Sequence, residues 1–316
     1  MRDVMARGGF RQVDLDTTMA IAMEHSANYA DERFSQLDSQ RVEYLFRRNM
    51  LEMEMVIREL WQELSQAAYT PAHMELSFGM QGQMDAIDIH GSTMDARLRG
   101  LVDRVDTWQH GDATFFRVVD YKTGKKDFDY CDVYNGVGLQ MLLYLFALEE
   151  RGSRLIGSRP VSAGVQYFPA RAPYLSVDGA LDAVQAEKER KKLMKRSGLL
   201  LGNEDSLNAM DPSEGLDRLS CKRKKDGTIS GDIADGIQLD QLKAYLKKYL
   251  AGMVDEIASG NVTANPYSRG TSFDACSFCP YGAVCHKDSV PGRRNYKKME
   301  SQRFWEEIGK EGERHG

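Results

Sequence analysis

Hydrophobic and polar positions divide the 316-residue chain into segments of helical period followed by segments of period two. Between residues 39 and 67 the apolar positions Leu45, Met50, Met53, Val56, Ile57, Leu60 and Leu64 fall near one face, which predicts a long amphipathic helix. Ser39 stands where an N-cap belongs, and Tyr69-Thr70-Pro71 ends the run. A shorter helix is predicted over residues 17–29, with His25 on it as a structural residue. The period then changes. Residues 72–78 and 84–90 read as strands stopped by Gly79 and Gly91. Residues 99–123 read as two strands, LRGLVDRVDTW and TFFRVVDYK, around the polar break His110-Gly111-Asp112. Further on, helices are predicted over 133–150, 181–195, 237–257 and 302–308, and a strand over 161–168. SGLLLGN (197–203) reads as a turn and 218–235 as a glycine- and charge-rich loop. The order of helix, strands, helix and strand predicts an α/β class in which a sheet carries the site and a helix covers it.

The two strands of 99–123 carry acids among branched and aromatic residues: Asp103 and Asp106 on the first, Asp120 on the second. Lys122 follows Asp120 by two, so both point to one face of a strand. Burying carboxylates in such a strand is costly unless a cation compensates. Two acids from neighbouring strands with a same-face lysine suit a divalent-metal site for phosphodiester hydrolysis. Net charge adds little: 42 Lys and Arg stand against 47 Asp and Glu, a formal −5. The distribution adds more, because basic runs at 188–196, 222–225 and 293–298 lie away from the acidic strands. Basic clusters around an acidic centre suit a polyanionic substrate, although each run alone fits a solvated helix face as well. No apolar run of about 18 residues predicts a membrane span, and Met1 opens no secretory signal. Five cysteines, three of them close together near the C-terminus, form no secreted disulfide framework and predict a reducing cytoplasm.

Taken together, Glu75 in an early strand, Gly100-x-x-Asp103, Val118-Val119-Asp120-Tyr121-Lys122 and Gln140-x-x-x-Tyr144 resemble the PD-(D/E)xK nuclease superfamily in its RecB-like branch. The resemblance implies a restriction-endonuclease-like core, a central mixed sheet flanked by helices. It implies that Asp103 and Asp120 bind Mg²⁺ or Mn²⁺, with the Tyr121 carbonyl as a backbone ligand. Lys122 would orient or polarise the attacking water and stabilise charge on the phosphate. Glu75 would lie in or beside the metal shell, and Gln140 and Tyr144 would hold the scissile strand or steady the site. Asp106 would serve structure, paired with Arg104.

Cys276-x2-Cys279-x5-Cys285 supplies three soft ligands at metal spacing, open to zinc with His286 as fourth ligand or to an iron–sulfur cluster. The resemblance implies a 4Fe–4S cluster that staples the tail to a fourth cysteine ahead of the first helix. No cysteine precedes Cys131, so the chain reads as one that begins after the start of the family's nuclease domain. GLVDRVD, VVDYKTGKK, VYNGVGLQMLLYLFAL and AGVQYFPAR resemble the AddB type of helicase–nuclease subunit, without its helicase part. That likeness implies a Mg²⁺-dependent exonuclease acting on DNA in double-strand-break resection, with an AddA-like helicase–nuclease partner. The expected organisation is a lead segment (1–40), a nuclease domain (41–270, insertion about 180–235) and a cysteine-bearing tail (271–316). Two other readings are a CRISPR-adaptation-type nuclease and a non-catalytic DNA-end-binding module.

Overall fold

A computed structural model describes residues 1–34, 39–79, 82–175, 179–270, 274–285 and 294–313. The chain divides into two compact units: one of residues 1–85, 99–128 and 140–236, the other of 86–98, 129–139 and 237–316.

The first unit is built on a six-stranded mixed sheet flanked by helices. Its strands run in the order Thr70–Phe78, Gly100–His110, Ala113–Lys122, Pro160–Pro169, Ser197–Leu201 and Ile233–Ala234. The first three are antiparallel neighbours, as a hairpin through His110-Gly111-Asp112 requires. Ala113–Lys122 and Pro160–Pro169 are parallel, so the chain must cross over between them. The helix Gln140–Arg151 lies in that crossover and is apolar on most sides, burying Met141, Leu142, Tyr144, Leu145, Phe146 and Leu148. The long predicted helix spans Gln40–Gln66, where Ser39 Oγ accepts from Val42 N at 3.5 Å. Leu60 and Leu64 from its apolar stripe pack with Val4, Phe10, Ile21, Val119, Phe168 and Met194.

Three predicted elements take another form. The helix expected over 133–150 is two helices, Tyr130–Tyr134 and Gln140–Arg151. Gly136 and Gly138 between them hold φ of +80° and +70°, which an α-helix does not admit. SGLLLGN is not a turn but contains the strand Ser197–Leu201, whose Gly198-Leu199-Leu200 core is buried. An unbroken apolar triplet with no alternation is what a strand covered on both faces looks like. The loop expected over 218–235 holds a hairpin, Cys221–Arg223 with Ile229–Gly231, and the edge strand Ile233–Ala234.

In the second unit, Ile87–His90 pairs with Asp95–Leu98 as a small antiparallel ribbon. The helix Gly236–Ala258 sends Tyr245 and Tyr249 to donate to the carbonyls of Tyr134 and Asn135, at 2.5 and 3.0 Å. Cys131 is buried here and donates its thiol to the Lys297 carbonyl at 3.0 Å; burial pushes that thiol above its ordinary value. Among the described residues, no helix is long and apolar enough to cross a membrane.

Candidate active site

Strand pairing makes the centre of the first unit. Arg104 lies opposite Val119 and Asp106 opposite Arg117, so Asp103 and Asp120 occupy neighbouring positions on adjacent strands. Alternation then sorts the side chains: Asp103, Asp120 and Lys122 take one face, while Arg104, Asp106, Arg117 and Tyr121 take the other. Asp103 Oδ2 accepts from the Tyr121 backbone N–H at 3.0 Å, which pins the acid across the strand end. Asp120 has only 11% of its side chain exposed, and Lys122 Nζ lies 2.6 Å from its Oδ2. That oxygen is shielded from solvent, and the ion pair lacks the alignment of a hydrogen bond. Burial raises the Asp120 carboxyl above its ordinary value; Lys122 opposes this and the Asp103 charge adds to it. A buried, under-satisfied carboxylate beside a second carboxylate favours occupation by a cation.

Glu75 sits between the pairs Met74–Arg104 and Leu76–Val102, which places it opposite Asp103. Its backbone is left-handed, φ +56°, a strained conformation for a glutamate inside a strand. Its side chain is 65% exposed and meets Arg2 Nη2 at 2.7 Å, an ion pair that solvent weakens. Glu75, Asp103 and Tyr121 nevertheless line one cleft of about 770 Å³, together with Arg2 and His25. His25, placed on the opening helix as a structural residue, therefore reaches this cleft, with its Nε2 2.6 Å from Asp3 Oδ2.

Gln140 and Tyr144 stand one turn apart, and Gln140 Nε2 donates to Tyr144 Oη at 2.6 Å. The Tyr144 ring packs edge-on against Phe78, 4.9 Å between centroids. Gly100 explains how the ring fits, because a Cβ there would collide with Tyr144 Oη and its ring. We expect Gly100→Ala to cost about 1–3 kcal/mol of stability, measured by urea unfolding, as over-packing of a tight contact does.

Beneath the acids lies a buried charge network that sequence reasoning reached only at the pair Asp106 and Arg104. Arg104 Nε is 2.9 Å from Asp106 Oδ1, the pairing expected from the sequence, and Arg117 Nε donates to Asp106 Oδ2 at 2.9 Å. Glu63 accepts from Arg117 Nη2 at 2.6 Å and from Arg196 Nη2 at 2.7 Å. Arg104 Nη1 donates to Tyr121 Oη at 2.7 Å, joining the network to the residue between Asp120 and Lys122. A glutamate beside Leu60 and Leu64 and an arginine inside TFFRVVD were the available signals.

The cysteines belong to the second unit. Cys276 is half-buried, Cys279 and Cys285 are exposed, and none of the three is in a disulfide. Among the described residues, no three His, Cys, Asp or Glu side chains are grouped closely enough to hold a metal ion. The expected cluster, iron–sulfur or zinc, therefore has no assembled ligand set there, and His286 lies outside the described residues. At the acids the count is two carboxylates rather than three, because Glu75 is turned to Arg2. Two carboxylates with the Tyr121 carbonyl still match the hard, sparse oxygen set that Mg²⁺ accepts while keeping several waters.

The profile of the PD-(D/E)XK nuclease superfamily matches residues 10–286, and the chain belongs to that superfamily. It is similar to proteins named as the B-type subunit of an ATP-dependent helicase/deoxyribonuclease. The Clostridium kluyveri protein is 31% identical over 263 residues, covering 79% of this chain and 23% of the relative. The Clostridium tetani protein is 32% identical over 233 residues, 72% of this chain and 20% of the relative. The Symbiobacterium thermophilum protein is 31% identical over 287 residues, 87% and 24% of the two chains. The chain thus spans less than a quarter of the length of these curated relatives.

Proposed function

We propose that this chain is the nuclease part of a helicase–nuclease subunit of the AddB type, a hydrolase of DNA phosphodiesters that depends on Mg²⁺ or Mn²⁺. The observation that carries the reading is the pair Asp103 and Asp120 on adjacent strands, with Asp120 buried and Lys122 2.6 Å from it. Membership of the nuclease superfamily and likeness to deoxyribonuclease subunits support the same chemistry.

Asp103, Asp120 and the Tyr121 carbonyl would hold the cation, which when bound acidifies a water and neutralises phosphate charge. Asp120 is kept ready for a cation by its own desolvation. Lys122, on the same face, places a positive charge where a phosphate oxygen gains negative charge during attack. Glu75, opposite Asp103, is available to the cation's water shell once Arg2 releases it. Gln140 and Tyr144 hold each other and steady the Gly100 end of the strand that carries Asp103. By likeness to relatives named as helicase/deoxyribonuclease subunits we assign DNA as substrate, and from the family resemblance we assign exonucleolytic end resection as the activity and an AddA-like helicase–nuclease as partner.

End-labelled single-stranded DNA tests the reading directly. Cleavage is expected with Mg²⁺ and is expected to fall to background with EDTA, returning when Mg²⁺ is restored. Cleavage that persists in EDTA would remove the metal-dependent mechanism.

A further inference from the structure

Asp103 and Asp120 lie one position beyond the last paired residues of their two strands, Arg104 and Val119. The backbone ladder therefore stops short of the acids and does not by itself set the distance between them. The two residues that follow the acids do meet. On the opposite face of the sheet Arg104 Nη1 donates to Tyr121 Oη at 2.7 Å, and the guanidinium carbon lies 5.4 Å from the Tyr121 ring centroid. Both ends of this contact are anchored. Arg104 is fully buried, with Asp106 Oδ1 2.9 Å from its Nε and Glu63 Oε1 3.5 Å from its Nη2. The Tyr121 ring packs edge-on against Phe168, 5.4 Å between centroids, and its hydroxyl donates to Met1 Sδ at 3.2 Å. On the acid-bearing face the Tyr121 N–H goes to Asp103 Oδ2 at 3.0 Å. Tyr121 thus ties the two strands together from both sides of the sheet.

We infer that Arg104 and Tyr121 are positioning residues that fix the separation of Asp103 and Asp120, and so tune the proposed site to a small divalent cation. Mg²⁺ demands near-ideal octahedral geometry with oxygens at roughly 2.0–2.1 Å, whereas Ca²⁺ accepts roughly 2.3–2.6 Å and irregular coordination. Two carboxylates on separate strands, free to drift, would suit the larger ion as well as the smaller. A clamp placed one residue behind each acid removes that freedom. The Tyr121 main chain shares in it, because its N–H holds Asp103 and its carbonyl is the proposed third ligand. Neither side chain touches the cation, since both point to the other face of the sheet. Groups behind metal ligands act in this way, by orienting the atoms that bind. The inference rests on the nuclease reading for the cation site itself and goes beyond it in assigning what selects the ion.

Calorimetric titration of the full chain with MgCl₂ and with CaCl₂, in the absence of DNA, reads the clamp apart from cleavage. Tyr121→Phe keeps the ring and its packing on Phe168 and removes the acceptor of Arg104. Mg²⁺ affinity is expected to fall about 10- to 100-fold, the usual loss when a group behind a metal ligand is removed. Ca²⁺ affinity is expected to fall by no more than about threefold, because its coordination tolerates drift. Selectivity for Mg²⁺ over Ca²⁺ therefore drops, which a general loosening of the fold would not produce. Circular dichroism melting confirms that the variant is folded. If it is not, Arg104→Met with Tyr121→Phe takes its place with the same expectation, since it removes both partners and leaves Asp106 its bond from Arg117. Unchanged Mg²⁺ affinity in the folded variant, or equal losses for the two ions, would overturn the inference. Wild-type Mg²⁺ binding that is lost in Asp120→Ala would meanwhile leave the nuclease reading standing. A wild type that binds no Mg²⁺ would overturn both.

Discussion

Replacing Asp120 by alanine is expected to lower Mg²⁺-dependent cleavage of single-stranded DNA by at least about a thousandfold, roughly 4 kcal/mol of transition-state stabilisation. The argument begins with position. Asp120 and Asp103 are cross-strand neighbours, so losing one halves the carboxylate count at the proposed cation site. Asp103 already commits Oδ2 to the Tyr121 backbone N–H at 3.0 Å and cannot replace both oxygens of its neighbour. Stability should move the other way or not at all. The Asp120 carboxyl is raised by burial, so folding without a cation places a charge where it is disfavoured. Alanine removes that cost along with the ion pair to the half-exposed Lys122, which is worth little. A variant that melts at or above the wild-type temperature yet does not cut identifies Asp120 as part of the chemistry. Wild-type cleavage rates in Asp120→Ala would place the reaction elsewhere on the molecule.

The hairpin was legible because two kinds of signal coincide in it. Period-two alternation fixed the strands, and the acids interrupt that alternation at Asp103 and Asp120, where apolar residues would otherwise continue. The Gln40–Gln66 helix was legible for the same reason, a long stripe with a cap at one end and Pro71 beyond the other. What escaped has a common cause. Helices Tyr130–Tyr134 and Gln140–Arg151 share one apolar pattern, and only the backbone angles of Gly136 and Gly138 separate them. Ser197–Leu201 lies inside the sheet with neighbours on both sides, so it carries no polar face to reveal its period. Glu75 was placed in its strand correctly, but its left-handed backbone and its turn toward Arg2 depend on a partner 73 positions away. Such pairings belong to tertiary structure, and no local window contains them. The charge network is the clearest case. Glu63, Arg104 and Arg117 come from three elements and Arg196 from the connection ahead of Ser197–Leu201, and they become intelligible only when the sheet brings them together.

That network carries the largest expected effect on stability. Glu63→Gln keeps side-chain volume and removes one charge, leaving Arg104 and Arg117 to share the single carboxylate of Asp106 and Arg196 with only Glu59 at 3.7 Å. Breaking a buried pair on one side costs about 3–5 kcal/mol, because the remaining charge is stranded away from water. A melting temperature lower by roughly 10 °C is therefore expected at pH 7. The pH dependence gives a second, independent mark. Burial alone would raise the Glu63 carboxyl, but Arg196, Arg117 and Arg104 together hold it well below the ordinary value of 4.5. A carboxyl depressed on folding contributes stability that is complete above its unfolded value and declines as pH falls below it. Wild type should accordingly lose stability from about pH 5 downward more steeply than Glu63→Gln, so the two curves converge in acid. Parallel acid limbs, or equal melting temperatures at pH 7, would show that the three guanidiniums are held by other means. The consequence for the site is directional. Arg104 donates to Tyr121 at 2.7 Å, and Tyr121 lies between Asp120 and Lys122, so loosening the network at Glu63 loosens the strand end where the proposed chemistry is done.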